Sequence, residues 1–214
     1  METTKLGRIV RVLTFVSALI GTSSRIVLSA MDGRPVSVLG YFTVQSNLMV
    51  TVFLALALLV GSVHTQMHKR MKKSALLLER AHGAVLVYIL VTAVVYNLLL
   101  AADMVDSGYS AFILVVNHSI TPGLFLLDWL MSRRSYPQQP WDIAAWLIYP
   151  IGYALWASIE GAANGTFRYF FLDFVNVPFP RYLATIAAVV VGFIVLAILV
   201  HVSETVKRRA GRKT

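Results

Sequence analysis

The chain contains no cysteine, so disulfides, thiolate ligands and thiol nucleophiles are excluded, and chemistry is left to hydroxyls, imidazoles, carboxylates and amides. Spacing gathers several of these. Thr43, Ser46 and Asn47 stand at i, i+3 and i+4, so a helix presents them on one face. His118 is followed four residues later by Pro122. A proline inside a helix lacks the N–H that would bond the carbonyl four residues back, so Pro122 frees the His118 carbonyl and opens or bends the helix there. The freed acceptor can hold a water, a hydroxyl or a substrate group. An imidazole titrates near neutral pH and, held inside a membrane, is a functional candidate in its own right. Thr43 taken alone has a plainer alternative, a hydroxyl that bonds its own backbone four residues back. Arg25 is read either as an anion-binding group or as a side chain that pairs with an acid or snorkels to the surface.

The elements that must position these groups are membrane helices. Of the 214 residues 57% are hydrophobic and only 14% charged, and the mean hydropathy of +0.71 is too apolar for a water-soluble domain of this size. A span takes roughly 20 mostly apolar residues to cross about 30 Å of hydrocarbon. Six such runs fit, at about 8–30, 37–61, 83–101, 111–131, 142–160 and 182–202. The expected fold is therefore an all-α, polytopic membrane helix bundle, a single six-helix transmembrane domain over 1–214. The first run is long, polar-flecked and without a small-residue cleavage site, so it is expected to remain as a helix.

The net charge of +9 suggests nucleic acid until the basic residues are placed on this map. Lys5, Arg8 and Arg11 stand at the start of the first span, and Lys69, Arg70, Lys72, Lys73 and Arg80 lie between the second and third. Arg133 and Arg134 follow the fourth, and Lys207, Arg208, Arg209, Arg212 and Lys213 follow the sixth. Only Arg34, Arg168 and Arg181 fall on the opposite side. The positive-inside rule then puts both termini in the cytoplasm of a multi-pass cell-membrane protein, and an even number of spans agrees. Anionic headgroups account for the basic ends, so no nucleic-acid partner is expected.

Depth sorts the polar groups within the spans. With a rise of about 1.5 Å per residue, Thr43, eight residues past Pro35, and His118, eight past Ser110, both sit roughly 12 Å below the outer face. Thr22, Ser23, Ser24 and Arg25 on the first span and Tyr96 and Asn97 on the third fall in the same outer half. Four helices thus converge polar groups at one level, the pattern of a buried site or of a hydrogen-bonded helix interface. Pro150 is expected to free the Trp146 carbonyl on the fifth span. Asp128 with Trp129 reads as an interfacial anchor. Glu160 and Asp173 flank a segment from Gly161 to Pro180 whose Phe167, Tyr169, Phe170, Phe171 and Phe179 form either an interfacial lid or an aromatic belt. His64, His68 and His82 are spaced too loosely to argue a metal site, and no metal or cofactor is expected. Asn164-Gly165-Thr166 fits a glycosylation sequon, relevant only in a eukaryotic secretory pathway.

The run Tyr41-Phe42-Thr43-Val44-Gln45-Ser46-Asn47-Leu48 resembles the signature of a bacterial group of six-span membrane proteins. Further segments fit it in order: Asn117-His118-Ser119-Ile120-Thr121-Pro122 running into Leu126-Leu127-Asp128-Trp129, then Tyr149-Pro150-Ile151-Gly152-Tyr153, then Phe170-Phe171-Leu172-Asp173. That group is similar to the animal androgen-induced proteins and the androgen-dependent regulator of tissue factor pathway inhibitor. The animal members are intramembrane hydrolases that cleave fatty acid esters of hydroxy fatty acids with a threonine and a histidine. By motif, Thr43 and His118 are the matching positions. The resemblance covers nearly the whole chain, but the animal branch tends to carry an extra histidine near His118 that is lacking here.

What the resemblance implies is an intramembrane hydrolase of lipid esters acting on a membrane lipid, with Thr43 as nucleophile and His118 as general base. Asn47, Gln45 or Arg25 are the candidate oxyanion donors, and Ser46, Asn97, Tyr96 and Asn117 complete the candidate substrate-binding set. No carboxylate is placed to orient the imidazole, so a tyrosine or a backbone carbonyl is expected in that role, or none. A non-enzymatic lipid-binding or regulatory membrane protein with the same cavity is the alternative. A transporter or channel is disfavoured, because no intramembrane acidic chain or pair of Gly-broken helices marks an ion path. The residues carry no signal for oligomeric state.

Overall fold

A computed structural model describes residues 3–33, 36–63, 72–101, 107–133 and 138–210, and over these the chain is all-α. Seven α-helices follow in order: α1 Lys5–Met31, α2 Phe42–Val63, α3 Lys72–Val95, α4 Gly108–Val115, α5 Thr121–Met131, α6 Pro140–Asn164 and α7 Phe179–Ala210. Two turns of π-helix interrupt this regularity, Tyr96–Leu100 continuing α3 and Val116–Ile120 joining α4 to α5. With α4, the π-turn and α5 taken as one span, six helices are long and apolar enough to cross a membrane. His64 and His68, the Lys69 to Arg70 pair, Arg34, Arg134, Arg212 and Lys213 lie outside the described residues.

Local chemistry sets the helix ends. The Thr4 hydroxyl accepts the Gly7 N–H at 3.1 Å and caps α1, and α1 stops at Gly33, whose φ of +73° suits only a residue without a side chain. At α6 Pro140 stands in the first turn, and the Gln139 N–H donates to the Asp142 carboxylate at 2.7 Å in a capping box. Gly165, at φ +70°, ends that helix.

Two compact units make up the chain, Met1–Gln138 and Gln139–Thr214. In the first, α1 packs on α2 and α5, and α3 packs on the same two helices. On α1 the distribution of side chains is inverted relative to a helix in water, whereas α2, α3 and α5 bury apolar residues such as Phe53, Leu54, Leu86, Ile89 and Phe125. Leu6, Ile9, Val12, Leu13, Val16, Leu19, Ile20 and Val27 of α1 point outward, while its packed face is Gly7, Arg11, Thr14, Ala18, Gly21, Thr22 and Ser29. Small and polar residues on the packed face with apolar residues outside is the arrangement of helices solvated by lipid, where close backbone approach and interhelical hydrogen bonds replace the hydrophobic drive. Ser46 and Thr92 join α2 to α3 at 2.8 Å, and Ser17 and Thr121 join α1 to α5 at 2.8 Å.

In the second unit α6 and α7 pack together with a 3-10 turn at Phe170–Leu172. Arg168 holds Glu160 through two bonds, of 2.8 and 2.5 Å, and its guanidinium sits 5.3 Å from the Trp156 ring. Tyr169 stacks on Phe171 at 5.1 Å, and Phe167 fills the space over Gly161 that a larger residue would need. The aromatic segment is thus an ordered, internally packed cap on its own helix pair.

Candidate functional site

Thr43 is the second residue of α2, where a 3-10 turn and an extended Tyr41 deliver the chain into the helix. Its hydroxyl lies 3.3 Å from Nε2 of His118. The imidazole is oriented from its other side, with Nδ1 2.9 Å from the Leu114 carbonyl. A carbonyl can only accept, so Nδ1 carries the proton, and in the neutral ring Nε2 presents its lone pair to the Thr43 hydroxyl. The orienting group is therefore a backbone carbonyl, one of the options the sequence leaves open.

His118 sits at the centre of the π-turn. The Thr121 N–H reaches Val116 O, five residues back, and the turn is completed before Pro122 can interrupt an i→i+4 ladder. The carbonyl expected to be freed at His118 accepts from Asn97 Nδ2 at 3.4 Å. Asn97 and Tyr96 themselves belong to the second π-turn, in which Ala101 N–H bonds Tyr96 O. The Tyr96 ring lies flat on the imidazole, with centroids 3.7 Å apart. Two π-turns thus meet at one histidine. Neither is visible in the hydrophobic pattern, because one extra residue in a turn leaves the composition of the run unchanged.

Asn47 takes a different part from the oxyanion donor expected of it. Its Nδ2 donates to Thr43 O at 2.9 Å and to Asn117 O at 3.2 Å, so both N–H bonds are committed to tying the start of α2 to the π-turn. Asn117 in turn donates to Gly21 O at 3.2 Å, bringing α1 into the same layer. Ser46 is spent on Thr43 O and Thr92, and Gln45 donates to Leu39 O at 2.9 Å. Three acceptors of this layer, Thr22 Oγ1, Asn47 Oδ1 and Asn117 Oδ1, are buried without a hydrogen-bond partner among the described residues. Arg25 is part-buried on α1.

A second buried polar layer lies about ten residues further along the same span, and the sequence reading missed it. Asp128, read from sequence as an anchor, is fully buried between helices. It accepts from Arg11 Nε at 2.9 Å, and His82 Nε2 lies 3.3 Å from its other oxygen. Arg11 also donates to the Ser132 hydroxyl at 2.7 Å. The His82 ring is enclosed by Phe53, Phe125 and Trp129, with centroids at 4.7, 5.1 and 5.0 Å. Read from sequence, Asp128 and Arg11 each stand near the end of a helix and look like surface charges. Their partnership depends on which helices are neighbours, which no local pattern reports. Among the described residues no cluster of three or more metal-ligating side chains occurs. No family profile, curated protein or solved structure matches the chain.

Proposed function

We propose that this chain is an intramembrane hydrolase of lipid esters, of the type of fatty acid esters of hydroxy fatty acids, set in the cell membrane with both termini in the cytoplasm. The observation that carries the reading is the 3.3 Å approach of the Thr43 hydroxyl to an imidazole nitrogen whose partner nitrogen is fixed on a carbonyl. A threonine hydroxyl is a weak nucleophile unaided, and an aligned base is what it lacks. The sequence resemblance points to the same two residues.

In the first step Thr43 Oγ adds to the ester carbonyl carbon while its proton passes to His118 Nε2. The resulting tetrahedral oxyanion then collapses, breaking the bond to the alcohol oxygen, which takes the proton back from His118. The acyl group is left on Thr43. A water then gives a proton to His118 and adds to the acyl carbon, and the proton returns to Thr43 as the fatty acid leaves. The Thr43 backbone N–H is among those a helix leaves unbonded in its first turn, at the positive end of its dipole, and is suited to the oxyanion now that Asn47 is committed elsewhere. The unpartnered Asn47 oxygen, one turn along α2 from Thr43, is an acceptor for the water of the second step.

Purified protein in detergent should be labelled covalently by an acyl-directed fluorophosphonate probe, and Thr43→Ala should not. Absence of labelling in folded wild-type protein would refute the hydrolase and leave a lipid-binding protein.

A further inference from the structure

Positions Ala18, Gly21, Thr22 and Ser29 are buried along one stripe of α1. Arg25 occupies the open place in that stripe, four residues from Gly21 and four from Ser29, so it lies on the packed face and not among the lipid-facing side chains. Its neighbours fix its level. Asn117 bonds Gly21 O one turn below, and Ser24 Oγ meets the Tyr109 hydroxyl at 2.6 Å where α4 begins. Arg25 therefore stands one turn above the Thr43 and His118 layer, on the side toward the Met31 end. Among the described residues it makes no ion pair and no hydrogen bond, whereas Arg11, on the same stripe, is matched to Asp128. A guanidinium within a span is costly unless an anion or water answers it, and its planar fork suits a carboxylate or phosphate.

We infer that Arg25 binds the free acid group of the lipid whose ester bond lies at Thr43 and is the residue that sets a preference for such acids over neutral esters. The inference rests on the lipid site proposed above and names the residue that reads its charge. The ester and the charge are then read one helical turn apart on neighbouring helices, with the acyl chains left to the surrounding apolar surface.

The test uses full-length Thr43→Ala protein in neutral detergent, which binds without turnover. The probes are an acylated hydroxy fatty acid, its methyl ester and phosphatidylglycerol. The free acid should bind roughly tenfold or more tighter than the methyl ester, a difference on the scale of one good charge-assisted contact. Adding Arg25→Gln should abolish the difference, and Arg25→Lys should keep part of it. Competition by phosphatidylglycerol at least as strong as by the free acid assigns the anion to a lipid phosphate, and weaker competition assigns it to a carboxylate. Equal binding of acid and methyl ester, or a preference that survives Arg25→Gln, overturns the proposal, and the first comparison needs no Arg25 variant to fold. Cleavage by protein with Thr43 intact is scored separately. Charge-selective binding without cleavage would remove the hydrolase and leave Arg25 in its role, whereas cleavage without charge preference would do the reverse.

Discussion

The rings of His118 and Tyr96 lie face to face, with centroids 3.7 Å apart and planes 19° apart, while the edge of the imidazole points to Thr43. Stacking of this kind fixes the plane of the imidazole, and the Leu114 carbonyl fixes its rotation within that plane. Tyr96→Phe should therefore keep most ester cleavage, because the face remains. Tyr96→Ala should lower kcat on the order of tenfold to a hundredfold through misorientation of the base. Steady-state kinetics of the two variants checks this, and equal loss in both would assign the effect to the hydroxyl instead.

Thr43 and His118 should behave as one unit. Alanine at either position is expected to lower kcat on the order of a thousandfold or more, with the double variant no worse than the singles. Multiplicative losses measured in the double variant would mean that the two residues act independently.

Gly21 lies against the Asn117 amide oxygen so closely that a Cβ there would overlap it. Gly21→Ala should displace Asn117, loosen the π-turn that carries His118, and lower activity while the protein still inserts. Gly123→Ala, at a glycine with open space around it, serves as the matched control and should be near neutral. Activity and membrane yield of the pair decide the point.

Loss of one member of the Arg11 and Asp128 pair strands a buried charge. Asp128→Ala should destabilise the protein by about 3–5 kcal/mol, whereas the paired change Arg11→Met with Asp128→Leu should recover most of that. Thermal unfolding in detergent reads both, and an Asp128→Ala protein as stable as wild type would contradict the buried pair.

Topology is independent of all chemistry. A reporter fused after Lys213 should be active only in its cytoplasmic form, and one inserted between Asp103 and Tyr109 only in its external form. Activity of both on one side would refute the proposed orientation.

Much of the layout follows from local patterns. The six apolar runs are legible because hydrocarbon tolerates few charges over 20 residues. Counting eight residues from Pro35 and from Ser110 puts Thr43 and His118 at one level, and the two side chains do meet, although α2 begins only at Phe42 and Thr43 therefore stands in its first turn. What escapes such reading depends on neighbours. Asn47 has donors suited to an oxyanion, but Thr43 O and Asn117 O take them both. Asp128 has the spacing of a surface anchor, but its span turns it toward Arg11. The π-turns escape for another reason: i→i+5 bonding leaves no mark on hydrophobic content, and only Pro122 hints that the ladder must shift.

Arg11 precedes Asp128 by 117 residues, so it leaves the ribosome and enters the bilayer long before its partner exists. At about 5–20 residues per second the wait is roughly 6–23 s. During that interval the arginine, seven residues into α1, can rest among headgroups near the Lys5 end, its chain extended to the surface. The buried pair therefore cannot form until α5 has been made, and a chain truncated before α5 lacks the carboxylate that Arg11 meets in the folded protein.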